Sequence, residues 1–270
     1  MKLKKIKDSL EGFFYKVRLN IAWQSSLSSS EVGEFNNLMR SAIERQILHF
    51  AKVEQINRIF GVAKAVLTLT AFDVLDSVQE LWIPILDIIE AEELQVYHLW
   101  ASNQGGQIAV DKIGADGTFE LTDEVRIITI KEKYKTLVYQ IEKTSQDWVA
   151  RTVEQGLREG MSHVEIAEML RDSARKVARR RAELISENEA TTLMGEMEME
   201  VYRESGIKYT TWITARDELT CPLCMANEEA GQVQVGHAFP SGATAPPQHS
   251  HCRCFVRPFI TSGEEIWYGG

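Results

Sequence analysis

No stretch of this 270-residue chain is long and apolar enough to cross a membrane. The most apolar region, residues 62–100, is broken by Lys64, Asp73, Asp76, Glu80, Asp87 and Glu90, and falls short of the roughly 20 apolar residues that a helical span needs. Positive charge is also in deficit: Lys plus Arg number 30 against 39 for Asp plus Glu, a net charge of −9, so no global field draws the chain to nucleic acid and any such contact must be local. The basic start Met1-Lys-Leu-Lys-Lys-Ile-Lys7 is followed by Asp8 and Glu11, which interrupt the apolar core of an export signal; the protein is expected to remain where it is made. A G-x-S-x-G elbow, an H-E-x-x-H pair and a G-x-x-x-x-G-K loop are all missing, so the motif search supplies no catalytic centre and no small-molecule substrate. Cysteine is the scarcest reactive residue, with four in the chain and none before Cys221. With 44% apolar residues, the chain can fill a core in one large or two smaller domains.

The four cysteines fall in one pattern, Cys221-Pro-Leu-Cys224 followed by His249-Ser-His-Cys252-Arg-Cys254. A soft divalent cation such as zinc takes four thiolate or imidazole ligands in a tetrahedron, and a C-x2-C turn supplies two of them. Gly231, Gly236, Pro240, Gly242, Pro246 and Pro247 allow the intervening loop to return the chain without regular structure of its own. His249, Cys252 and Cys254 then compete for the two remaining places, with His251 and His237 as weaker candidates. Two plainer explanations exist, buried small apolar side chains or a pair of disulfides. Clustering speaks against the first and the missing export signal against the second. A zinc ion held by four protein ligands leaves no open position for water or substrate, so its role would be structural rather than enzymatic.

Upstream, the periodicity is mostly helical. Ser28-Ser29-Ser30 can cap a helix carrying Phe35, Leu38, Met39, Ala42, Ile43, Ile47 and Phe50, ended by Gly61. Val66, Leu69, Phe72, Val74, Leu75 and Val78 form a second apolar stretch; Leu81, Ile85, Leu86, Ile88 and Ile89, divided by Pro84, form a third. Ile108 and Val110, the turn Gly114-Ala-Asp-Gly117, then Phe119 and Leu121 predict a hairpin near 107–121. From residue 123 a long helix is expected, with Ile127, Ile130, Tyr134, Leu137, Ile141, Thr144 and Trp148 on a heptad seam. Ser162-His163-Val164-Glu165 is a capping box. It also echoes the H-x-E of zinc deaminases, but Thr220 stands where that motif needs proline before Cys221. Ile207–Thr214 predicts a strand into the cysteine turn, and residues 252–260 its partner, ended near Pro258. The expected fold is mainly α: a helical region over 1–155, a small α+β module over 156–260 with a short sheet and a Cys/His knuckle, and a tail over 261–270.

Arg171, Arg175 and Arg179 share one helical stripe, with Lys176 and Arg180 beside it. Such a run is either a solvated face or a local anion-binding surface for DNA or an acidic partner. His237, His249 and His251 near Asp217 and Glu218 leave a zinc-dependent nucleic-acid-binding or nuclease protein as the alternative from another class.

The run Trp212-Ile-Thr-Ala-Arg-Asp217, then Cys221-x2-Cys224, then Pro246-Pro247-x-His249-x2-Cys252-Arg253-Cys254 resembles the Mu F-like minor head proteins of tailed bacteriophages. Arg179-Arg180-Arg181-Ala182 and Glu187-Asn188-Glu189-Ala190, leading to Tyr202 and Gly206, are similar to the helix that precedes the motif in that family, with Glu187 or Glu189 as the matching acid. The likeness covers roughly residues 156–258. Ser250 stands where the family tends to have proline, and His251 where it has a small polar residue. The resemblance implies a non-enzymatic minor head protein that associates with the portal protein and with the major capsid protein or scaffold during head assembly and DNA packaging. It implies residence in the host cytoplasm and then in the virion head interior or at the portal vertex, where packaged DNA is one candidate occupant of the basic face.

Overall fold

The computed structural model describes residues 30–63, 71–262 and 265–266. In order it contains α1 (Ser30–Phe50), α2 (Val53–Ala63), α3 (Ala71–Glu80), a 3-10 turn (Ile85–Asp87), α4 (Ala91–Ile113), α5 (Glu124–Glu132), α6 (Tyr134–Arg158), α7 (His163–Glu204), β1 (Tyr209–Ile213), α8 (Pro222–Glu229), β2 (Gln232–Gln234), β3 (Phe255–Phe259) and the short pair β4 (Thr261–Ser262) and β5 (Glu265–Ile266). The protein is mostly helical, with a small three-stranded antiparallel sheet near its C-terminus. The described residues form two compact units built from separate segments: one from residues 30–33, 97–128 and the described residues from 187 onward, the other from residues 34–63, 71–96 and 129–186. Residue 155, the expected domain boundary, lies inside α6.

The second unit is helical. Phe35, Met39, Ala42, Ile43, Ile47 and Phe50 are buried along one face of α1, as their three- and four-residue spacing predicts. Phe50 stacks on Trp82 at 5.4 Å, and Gln46 donates to the Ile83 carbonyl at 2.9 Å, tying the helix to the segment around Pro84. The expected stop at Gly61 is corrected: α1 ends at Phe50 and a new helix starts at Val53, with Gly61 inside it. Ser28, Ser29, Val66 and Leu69 lie outside the described residues. The capping box at the start of α7 forms, with the Ser162 N–H donating to Glu165 at 2.6 Å and the Glu165 N–H to Ser162 Oγ at 3.3 Å.

The long helix expected from residue 123 is two helices, α5 and α6, interrupted at Lys133. Its seam also drifts. Tyr134, Leu137 and Ile141 are buried, but the next buried positions are Ser145 and Val149 rather than Thr144 and Trp148. A straight helix turns every 3.6 residues, so a 3.5-residue repeat loses register by about 20° per heptad.

In the first unit, the predicted hairpin is replaced by the last turns of α4 and a return segment that, among the described residues, pairs with no β-strand. Phe119 and Leu121 do alternate, but their amides donate to helix side chains, Gln107 Oε1 at 2.7 Å and Asn103 Oδ1 at 3.0 Å. Gly105 and Gly106 are contact points: a Cβ at Gly105 would run into the Met194 carbonyl of α7, and one at Gly106 into the Phe119 ring. Ala101, Ala109 and Lys112 are buried on the same stretch of helix.

The sheet order is β2-β1-β3, with Thr210 opposite both Val233 and Pro258. The partner strand ends at Phe259, next to Pro258 as expected, and an edge strand tolerates the proline because the missing N–H costs no ladder bond on its outer side. Trp212, fully buried on β1, meets Phe239 edge-on at 5.2 Å.

Candidate metal centre

Residues 221–224 form a turn that opens α8. Pro222 occupies the first helical position, where a missing N–H is harmless, and Cys221 is the N-cap, its sulfur accepting the Cys224 N–H at 3.3 Å. Beyond β2 the chain crosses to β3 through an irregular loop. Asn227, buried on α8, fastens it by accepting the Ser241 N–H at 2.9 Å and donating to Ser241 Oγ at 2.8 Å. The loop also rests on α7, where a Cβ at Gly195 would lie 2.6 Å from the Pro246 carbonyl oxygen. The Cys252 N–H donates to the His249 carbonyl at 3.1 Å, closing the second turn.

These two turns meet. Cys224 Sγ lies 3.4 Å from His249 Nε2 and 3.8 Å from Cys252 Sγ. Two triads share Cys224: Cys221, Cys224 and His249, and Cys224, Cys252 and Cys254, with the ligand atoms of each triad within 4.8 Å of one another. All four cysteines are free thiols, and three are buried. The groups are therefore close enough to hold a metal ion. His237 and His251 belong to neither triad.

The electrostatics favour thiolates at two sulfurs. At Cys252, hydrogen bonding from the Cys254 thiol outweighs burial and lowers the pKa to about 5; the same contact, with burial, pushes Cys254 up. Burial is the main cause raising Cys224 to about 12. Cys221 is lowered: burial opposes ionisation there, but the Cys224 amide leads the interactions that favour the anion. The Ser250 carbonyl, 2.8 Å from Nδ1, raises His249 and orients Nε2 toward the sulfurs.

Polar contacts that sequence reasoning missed hold this centre from outside. Arg253 makes a two-pronged ion pair with Asp217 at 2.5 and 2.7 Å, joining the Cys-Arg-Cys segment to the loop before Cys221. Arg216 and Thr214 both reach Glu228 of α8, at 3.0 and 2.6 Å. Lys112, wholly buried, bonds Glu198 at 2.8 Å and the Val256 carbonyl at 2.9 Å. Its signal in the sequence is the helical spacing of Lys112 from Ala101, Gly105 and Ile108, which the expected hairpin over 107–121 obscured. Glu187 faces His251 at 3.3 Å beside the centre, whereas Glu189 faces the buried His98 at 3.1 Å.

The basic residues are arranged differently. Arg171, Arg175, Lys176, Arg179 and Arg180 are exposed on α7. Arg171 donates to the Ala51 carbonyl at 2.9 Å, and Arg175 lies 3.8 Å from Glu44. Among the described residues, Lys176, Arg179 and Arg180 show no ion pair. The neighbouring Arg181 turns inward to Ser145 and the Ile141 carbonyl, and burial lowers its pKa to about 10.

Comparison with known proteins adds one result. Residues 147–257 match the family model described as Phage Mu protein F like protein. That segment is similar to the Mu F-like family. The match takes in α7, β1, β2, both cysteine turns and the start of β3, and begins within α6, upstream of the resemblance visible in the motifs. It suggests a protein of phage head morphogenesis. No curated protein and no solved structure matches the chain.

Proposed function

We propose that the protein is a structural, non-enzymatic minor head component of a tailed phage. It associates with the portal protein and with the major capsid protein or scaffold while the head is built and filled. The observation that carries this reading is the Cys/His centre lying inside the segment similar to Mu F, with the ligand atoms of each triad within 4.8 Å of one another.

The residues fit a structural zinc ion drawn from Cys221, Cys224, His249, Cys252 and Cys254. At a zinc–sulfur distance of about 2.3 Å, a tetrahedron has sulfur–sulfur edges of roughly 3.8 Å and sulfur–nitrogen edges of roughly 3.6 Å. The observed contacts from Cys224 are 3.8 Å to Cys252 Sγ and 3.4 Å to His249 Nε2. When bound, the ion would neutralise the clustered thiolates and cross-link the two turns. The chain's own residues set its surroundings: α8 presents Cys221 and Cys224 from one side, the loop pinned by Asn227 presents His249 from the other, and β3 fixes the segment carrying Cys252 and Cys254. The exposed cations of α7 would supply a surface for packaged DNA or an acidic partner.

Mass spectrometry of purified particles, together with affinity capture of the portal protein, tests the role. A few copies per head and recovery with portal are expected. Absence from both particles and portal assemblies would overturn the proposal, as would DNA nicking by the purified protein that is lost on chelation.

A further inference from the structure

We propose that Cys252 and Cys224 form an oxidation site: a hydroperoxide entering the cleft beside the second cysteine turn oxidises Cys252, and Cys224 closes on it as a disulfide that clasps the two turns covalently. Such a bond goes beyond metal binding and needs no ion to form.

Cys224 Sγ and Cys252 Sγ touch at 3.8 Å although 28 residues separate them in the chain. A disulfide brings its sulfurs to about 2.05 Å, so the pair must close by roughly 1.8 Å, which rotation about the two Cα–Cβ bonds can span. Each sulfur is carried by its own braced turn: Cys224 by the first turn of α8, and Cys252 by the turn that its N–H closes on the His249 carbonyl at 3.1 Å. Bonds within a turn are less favourable. Cys221 Sγ is engaged by the Cys224 N–H at 3.3 Å, and a ring joining Cys252 to Cys254 across a single residue departs from relaxed disulfide geometry. A cross-link over 28 residues also removes more freedom from the unfolded chain than one over either short spacing.

Access makes Cys252 the sulfur attacked first. It lines a cleft of about 510 Å³ together with Asn188 and Thr191 of α7, Leu219 and the residues of its own turn. Cys224 does not line the cleft and is only 1% exposed. Two waters occupy about 60 Å³ of liquid, so a molecule the size of hydrogen peroxide enters with room to spare. The Cys252 sulfur takes one oxygen as the O–O bond breaks, giving a sulfenic acid and one water. The Cys224 sulfur then attacks the sulfenic sulfur: the S–S bond forms, the S–OH bond breaks, and the Cys224 proton leaves with the hydroxide as a second water. Two thiols and one peroxide thus give one disulfide and two waters. In the role proposed above, the protein is made in a reducing cytoplasm and meets oxidants when particles are released, and this bond keeps the two turns joined in the second setting.

Full-length protein in chelator, treated with one equivalent of hydrogen peroxide, tests the site. The intact mass should fall by two hydrogens per chain, and titratable thiols should drop from four to two. Cleavage after glutamate and arginine separates Cys224, Cys252 and Cys254, because Glu228, Glu229 and Arg253 lie between them. The peptide carrying Cys252 should emerge joined to the one carrying Cys221 and Cys224, with fragmentation placing the bond at Cys224. Cys221→Ser should form the same bond. Cys224→Ser should form none at Cys252, which should instead hold a sulfenic acid that a 1,3-diketone probe labels. A bond within either turn, or four thiols still titratable once the peroxide is consumed, would overturn the proposal, and the wild-type peptide map decides this even if a variant fails to fold. One equivalent of zinc should slow the oxidation; the same bond formed at an unchanged rate would support the oxidation site while counting against the ion, so the two readings are tested separately.

Discussion

Replacing Lys112 with methionine should destabilise the first unit by far more than loss of a lysine normally implies. Its ammonium is completely buried between the Glu198 carboxylate at 2.8 Å and the Val256 carbonyl at 2.9 Å, and it lies 5.2 Å from the centre of the Phe255 ring. Burial pushes Lys112 down and Glu198 up, each toward its neutral form, and each holds the other charged. Methionine fills similar volume but leaves Glu198 with the Tyr202 hydroxyl, 3.2 Å away, as its remaining hydrogen-bond partner. Removing one member of a buried ion pair costs about 3–5 kcal/mol, against a total domain stability of about 5–15 kcal/mol. Urea denaturation of full-length protein, with zinc in excess and tryptophan fluorescence as the signal, measures this. The double variant Lys112→Met with Glu198→Leu removes both charges and should recover most of the loss, returning to within about 2 kcal/mol of wild type. Val256 follows Cys254 by two residues, so the single variant should also bind zinc more weakly than wild type. A single variant within about 1 kcal/mol of wild type, or a double variant no better than the single, would refute the idea that this pair holds β3 in place.

Three further outcomes are expected. Gly105→Ala and Gly195→Ala place a methyl group against the Met194 and Pro246 carbonyls respectively, and each should lower stability by about 1–3 kcal/mol in the same titration. Glutamine at Arg175, Arg179 and Arg180 together should abolish salt-sensitive DNA binding in a fluorescence anisotropy titration; affinity unchanged at low salt would remove DNA as the occupant of that face. Asp217 is held below the usual carboxylate range chiefly by its hydrogen bonds from Arg253, so its contribution is complete above the ordinary aspartate value of about 3.9 and is lost as pH falls through the lower folded value. The Tm gap between wild type and Asp217→Asn, measured in chelator so that proton competition at the cysteines does not enter, should therefore be present at neutral pH and close on acidification; a gap that persists in strong acid counts against the ion pair as its source.

The parts of the molecule legible from residues alone were those whose chemistry is local. The face of α1 is visible because one helical period places Phe35, Met39, Ile43, Ile47 and Phe50 together, and the capping box because four consecutive residues complete it. The two cysteine turns are visible for the same reason, and their meeting was inferable because metal chemistry has a use for that set. What stayed hidden depends on partners distant in sequence. Alternation at Phe119 and Leu121 marks an extended chain correctly, but nothing in those residues says that their amides go to Gln107 and Asn103 instead of a strand. Gly105-Gly106 carries the same ambiguity, since a residue without a side chain serves a turn and a close helix crossing equally well.

The segment 252–256 shows why a knuckle with so little regular structure around it can still be well defined. The loop before it contains no helix or strand between β2 and β3, so its position cannot come from backbone ladders. It comes from point attachments along the segment: Cys252 to the sulfur cluster, Arg253 to Asp217, and the Val256 carbonyl to Lys112. These attachments lead to different elements, and ordering a loop of this length is entropically costly unless several act together. A metal ion at the first of them would lock a segment that the other contacts have already aligned. The energetic value of the centre then lies in fixing the loop onto α7 and β1 rather than in creating the fold, which is how a structural site in a head component would preserve a docking shape.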